Sequence, residues 1–192
     1  MTIDPFAPLI TTDIDAHIEL AGAVKGLIGD LGKAAAVLCT VLGSGQRLLL
    51  CGNGGSAADA QHLAAELTGR FLKDRDPLPA IALHTNTSAL TAIGNDYGYG
   101  QIFAREVRAQ GRAGDALIAL STSGNSENVL QAASAAKELA ITTIALTGRS
   151  GGRLADMADI ALRVPSDSTP RTQEMHILIG HILCGLVEAK VC

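Results

Sequence analysis

Tryptophan is absent from this 192-residue chain, and with two tyrosines and three phenylalanines the aromatic share is only 3%. So few rings leave little platform for stacking nucleic-acid bases. A basic excess is lacking too: 15 Lys and Arg stand against 19 Asp and Glu, a formal charge of −4, with no long Lys/Arg run. That balance argues against a general nucleic-acid binder. Cys39, Cys51, Cys184 and Cys192 form no Cys-x-x-Cys pair and no framework spacing, so reduced thiols in a cytosolic protein are expected. Long uncharged runs are missing near the C-terminus, where Met175 to Val187 holds His176 and His181 and falls short of the roughly 20 residues a bilayer needs. The opening MTIDPFAPLITTDID is acidic and carries no basic region ahead of an apolar core, so no secretory leader and no membrane span are expected. What is present is apolar: 47% hydrophobic content excludes a disordered chain. The length suits one domain, able to bury about 70% of its unfolded surface without disulfides.

Two patterns divide the chain. Residues 1–46 read as a helical segment, with Ile14, Ile18, Leu20, Ala21, Val24, Leu27, Ile28 and Leu31 at helical spacing. Thr12 or Asp13 can cap its start, Gly29 and Gly32 are expected to break or bend it, and Gly43 to Gly45 to end it. Residues 47–192 read as a parallel α/β core. The short apolar runs RLLLC (47–51), AIAL (80–83), ALIAL (116–120), ITTIAL (141–146) and IALRV (160–164) alternate with amphipathic stretches. Strands buried on both faces look like this, and helices between them imply right-handed crossovers. The expected fold is a doubly wound parallel sheet of about five strands flanked by helices, closed by a helix over roughly Arg171 to Ala189.

Open parallel sheets bind ligands beyond the carboxyl ends of their strands, and two such ends are unusual here. Cys51-Gly52-Asn53-Gly54-Gly55-Ser56 allows a sharp turn and a close backbone approach, with Ser56 and Asp59 spaced as a capping box. It lacks the dinucleotide pattern G-x-G-x-x-G, and a plain tight turn explains it equally well. Ser121-Thr122-Ser123-Gly124-Asn125-Ser126 places four hydroxyls at the start of a helix, which suits a phosphate monoester; an ordinary hydroxyl-rich cap is the plainer alternative. On the helix after the glycine loop, His62, Glu66 and Arg70 recur every four residues. One His and one Glu a turn apart can chelate a metal or act as an acid–base pair, although a lone HxxxE is ordinarily a solvated face. The last helix brings Gln173, Glu174, His176 and His181 behind Thr169-Pro170-Arg171, and His181 taken alone reads as a core histidine. Asn95 and Asp96 read as turn residues.

Taken together, CGNGGSAADAQHLAAEL, TAIGNDYGY, LSTSGNSENV and TPRTQEMHILIGHILC resemble, in order and over about residues 13–190, the blocks of the bacterial sedoheptulose 7-phosphate isomerases of the sugar isomerase (SIS) fold. The resemblance implies an aldose–ketose isomerase that converts D-sedoheptulose 7-phosphate to D-glycero-D-manno-heptose 7-phosphate, supplying heptose for lipopolysaccharide or a related glycan. It implies substrate contacts at Asn53, Gly54, Gly55, Glu66, Asn95, Asp96, Ser121, Thr122, Ser123, Ser126 and Gln173, with Glu66 and His181 as the acid–base pair. It further implies zinc on His62, Glu66, Gln173 and His181, and a cytoplasmic homotetramer assembled partly through the N-terminal helices. Gln173 and His181 stand eight residues apart on one helix, about 12 Å of rise. His181 is therefore expected from a neighbouring subunit, which would put active sites at subunit junctions. The rival reading is a non-catalytic relative that senses sugar phosphates or binds the replication initiator. The initiator-binding relative keeps the glycine and serine loops but lacks counterparts of Glu66 and His181, which this chain has.

Overall fold

The computed structural model describes residues 5–192. Five parallel strands are formed by the five apolar runs, each within a residue of its expected bounds: β1 (Leu48–Cys51), β2 (Ala80–Ala82), β3 (Ala116–Ser121), β4 (Thr142–Thr147) and β5 (Ile160–Arg163). Their order across the sheet is β2-β1-β3-β4-β5, with Leu50 level with Ala82 on one side and with Ile118 on the other. Connections leave β1 in one direction and β3 in the other, so a crevice opens beyond the carboxyl ends of these two strands. Both unusual loops lie there.

Alternate strand residues feed two cores. Leu48, Leu50, Ile118, Leu120, Ile144 and Leu146 face α2 (Ile28–Gly43), α3 (Gly55–Thr68) and α8 (Thr169–Val191). Leu49, Cys51, Leu117, Ala119 and Ala145 face α5 (Ile102–Gln110), α6 (Glu127–Glu138) and α7 (Gly152–Met157). With helices on both faces the strands need no polar side, and all residues of β1 and β3 are buried. Burial lifts the Cys51 thiol to about 12, which fits an inert core residue.

The N-terminal helices depart from expectation. Helix α1 spans Ala7–Ala23, starting well before Thr12 with Pro8 in its first turn. Thr11 and Thr12 are interior residues whose hydroxyls return to the carbonyls of Ala7 and Pro8. The break falls at a 3-10 turn, Val24–Leu27, rather than at Gly29 or Gly32, which lie inside α2. No residue of α1 is buried, and Leu9, Ile10, Ile14 and Ile18 are each more than half exposed. Ala7–Gly43 taken together is long and apolar enough to cross a membrane, by length and composition only, against the expectation of no span. Polar contacts nevertheless fasten α1 to α8: His17 meets Glu174 at 2.8 Å, and Arg171 donates to the Asp13 carbonyl at 2.9 Å. A groove of about 270 Å³ runs between the two, lined by Ala16, Leu20, Ala23 and Arg171 among others.

Candidate active site

The glycine loop turns at Gly54, whose φ of +56° is left-handed and suits a residue without Cβ. Gly54 is also the N-cap of α3, two residues before Ser56, where the expected capping box would begin. Ser56 is instead buried in the first turn of α3, and no side chain caps that helix. Asp59, the other half of the box, has a buried Oδ2 without a partner. Burial pushes its carboxyl up to about 6, and the nearby His62 counteracts only part of this.

Helix α3 carries His62 and Glu66 one turn apart, with His62 Nε2 3.2 Å from Glu66 Oε1. Arg70 is not the third member of that stripe, because α3 ends at Thr68 and Gly69 turns the chain away. The third member is His181, whose Nε2 lies 2.9 Å from His62 Nε2. It belongs to the same chain, so the expectation that His181 arrives from a neighbouring subunit is corrected. Helices α3 and α8 run side by side in the same direction: Gln173 packs on Gly55 at one level, His181 on His62 further along, and Glu188 beyond the end of α3. Close approach is made possible by Gly180, where a Cβ would come within 2.5 Å of both Leu63 methyls.

The ligand atoms of His62, Glu66 and His181 all lie within 4.8 Å of one another. Two imidazole nitrogens and a carboxylate oxygen converging from packed helices are a donor set that fits zinc. Gln173 stands apart from this trio, two turns nearer the start of both helices, as the 12 Å separation on α8 requires. The ring of Phe71 lies 5.4 Å from that of His181 and walls it on one side.

Behind the trio is a buried ion pair that sequence reasoning missed. Glu188 accepts from the amides of Phe71, Leu72 and Lys73 and from Arg75 Nε. Burial works to raise the Glu188 carboxyl, but the three amides and Arg75 outweigh it and hold it below the usual range. Arg75 in turn donates to the carbonyls of Glu66, Leu67 and Gly69, satisfying the open end of α3. Glu188 in a largely apolar helix end was the available signal, whereas nothing marks Arg75 out among Arg70, Lys73, Asp74 and Asp76.

At the end of β3, Ser121 and Ser126 bond each other through their hydroxyls at 3.0 Å, and Ser126 begins α6 without capping it. Thr122 and Ser123 line a cavity of about 200 Å³ with Arg149, Ser166 and Thr172. The hydroxyl loop and the uncapped helix start give a phosphate group donors without a lysine. Asn95 and Asp96 are not in a turn but in the last, exposed turn of α4 (Thr87–Tyr97), where Asn95 donates to Asp96 at 2.7 Å. That helix is capped by Asn86, which accepts from the Ala89 amide. Glu174 faces α1, and His176 is fully buried under β4, donating from Nε2 to the Thr147 carbonyl at 3.2 Å.

A strand order that reverses between β1 and β3, with a glycine loop and a hydroxyl loop at the reversal and a His–Glu–His trio further along α3 and α8, matches a sugar-phosphate isomerase-like class. Accordingly, residues 17–148 match the model of the SIS domain. The chain is 59% identical to the phosphoheptose isomerase of Rhodospirillum rubrum, over 98% of both chains. It superposes on the phosphoheptose isomerase structure from Neisseria gonorrhoeae with a TM-score of 0.91 and 45% identity, covering 96% of this chain and 99% of that one. For the Francisella tularensis structure the values are 0.88 and 43%, covering 99% and 100%. This chain belongs to the phosphoheptose isomerase family.

Proposed function

We propose that the chain interconverts D-sedoheptulose 7-phosphate and D-glycero-D-manno-heptose 7-phosphate, working over residues 1–192 as one SIS unit. The observations that carry this are the convergence of His62, Glu66 and His181 from α3 and α8 and the hydroxyl loop at the strand switch point. Isomerisation takes a proton from C1 of the ketose and returns one to C2 through an enediol, so one group must handle carbon-bound protons while another serves the oxygens. We assign the carbon-bound proton to Glu66, a carboxylate held on the rigid end of α3, and proton exchange at the sugar oxygens to His181. The phosphate sits on Ser121, Thr122, Ser123 and Ser126. Asn53, Gly54, Gly55, Asn95, Asp96 and Gln173 hold the hydroxylated chain. His62, Glu66 and His181 would hold zinc, which supplies positive charge to offset that developing on the sugar oxygens; Gln173, two turns away, is too far to join them.

We further infer a cytoplasmic homotetramer in which the apolar side of α1 is covered by other copies of the chain, and a product that enters heptose-containing lipopolysaccharide or a related glycan. Exposed Leu9, Ile10, Ile14 and Ile18 and the groove along α8 support the assembly.

The test is NMR of the protein with sedoheptulose 7-phosphate in D2O, with and without zinc. New aldoheptose signals bearing deuterium at C2 are expected. Glu66→Gln should lower their rate of appearance about 10²- to 10⁴-fold. Ligand line-broadening without turnover would favour the non-catalytic binding module instead.

A further inference from the structure

The side chain of Asn53 is held from two directions. Its Nδ2 donates to Asn128 Oδ1 at 2.8 Å and its Oδ1 accepts from Asn128 Nδ2 at 2.9 Å, closing a two-bond ring between primary amides. The same Oδ1 accepts from the Tyr99 hydroxyl at 3.1 Å. Asn128 is 3% exposed in the first turn of α6, where a polar side chain has to be partnered. Tyr99 comes from the short 3-10 turn between α4 and α5. Three segments that are distant in sequence thus meet on one amide of the glycine loop.

A primary amide has two N–H donors and two acceptor lone pairs. On Asn53 both lone pairs and one N–H are engaged, which leaves one N–H. In a closed amide pair the bonded hydrogen is the one on the carbonyl side, so the remaining one points away from Asn128. We propose that Asn128 and Tyr99 are positioning residues that lock Asn53 with this N–H turned to the ligand, so that the loop offers the sugar phosphate a fixed donor and never an acceptor. The inference rests on the proposed substrate and adds two residues that act through the Asn53 side chain. Pre-set orientation spares the ligand the cost of ordering the amide, and its benefit falls on binding.

The test uses the full-length 15N-labelled protein, with the Asn53 side-chain signals identified by their loss in Asn53→Asp. In the free protein one Asn53 amide proton should be protected from exchange and the other not. Sedoheptulose 7-phosphate added to the Glu66→Gln protein, which consumes it far more slowly, should shift the unprotected proton. Two protected protons that ligand leaves unmoved would mean that the pair is flipped as a unit and would overturn the proposal.

In kinetics, Asn128→Asp should raise KM about 10-fold and Tyr99→Phe about 3-fold, each with kcat within twofold, since a lost binding interaction appears in KM. Tyr99 is 63% exposed, so its variant carries little folding risk. Unchanged KM in both variants, or a fall in kcat with KM unmoved, would also overturn it. Turnover with an unmoved Asn53 amide fails the inference and leaves the function standing; an amide that moves without turnover does the reverse.

Discussion

His176 shows how a buried imidazole records its surroundings. Burial lowers it from an ordinary 6.5 to about 4, and its bond to the Thr147 carbonyl recovers only part of the loss. The neutral form therefore carries its proton on Nε2, leaving Nδ1 and the Thr147 hydroxyl buried without partners. With the folded value below the unfolded one, the unfolded chain binds more protons between pH 6.5 and 4. Stability is full above pH 6.5 and declines as pH falls, by up to about 1.4 kcal/mol per pH unit and about 3 kcal/mol in all. Chemical denaturation across that range should show this slope in wild type and a shallower one in His176→Leu. An equal slope in both would assign the acid sensitivity elsewhere. His181, five residues on, has the same apolar neighbours in sequence but faces α3, and only the rotation of α8 separates a core histidine from a site histidine.

At the scale of elements, the site depends on how closely α3 and α8 lie. A methyl at position 180 would meet Leu63 at 2.5 Å, and Leu63 is itself locked in the core. Gly180→Ala should cost about 1 to 3 kcal/mol, from the strain of overpacking. Because the helices must part to accept it, His62 and His181 should separate as well, lowering zinc affinity along with stability. Zinc titration of the folded variant at low temperature distinguishes this from simple unfolding: wild-type affinity there would show that the trio tolerates a wider gap. This contact was invisible in the sequence, where Gly180 looks like any helix-interior glycine. The strands were legible because burial on both faces leaves no polar positions in LLLC or in ALIAL, whatever the tertiary detail. Helix ends were less so. Ser56 has the right chemistry for a cap, but Gly54 already supplies the turn and Ser56 points into the core. Asn95 and Asp96 favour turns locally, yet α4 continues through them to Tyr97, which stacks with Arg105 at 3.7 Å. The Arg75–Glu188 pair joins residues more than 100 positions apart, and no local pattern relates them.

Viewed as a whole, the molecule has one face that its own fold does not cover. Helix α1 contributes no buried residue, although it is among the most apolar segments, and a third of the most apolar stretch of Ala7–Gly43 is buried. Under the proposed assembly, Ile14→Glu puts a charge into that face without touching the sheet. Sedimentation should then show smaller species with the fold intact by circular dichroism. A tetramer that survives this substitution would place the contact elsewhere, and wild-type protein found with vesicles would favour a lipid-facing role.

The trio also fixes an order of events in the life of the chain. The five strands lie within residues 48–163, yet His181 and Glu188, with the buried Leu183, Cys184 and Val187 that cover one sheet face, lie among the last dozen positions. A nascent chain can therefore hold its strands, its hydroxyl loop and its glycine turn before it has the trio or the helix that closes one face of the sheet. Messages cut short before position 181 would strip that face along with the trio, and a tag fused to Cys192 would hang four residues from the carboxylate that anchors Arg75.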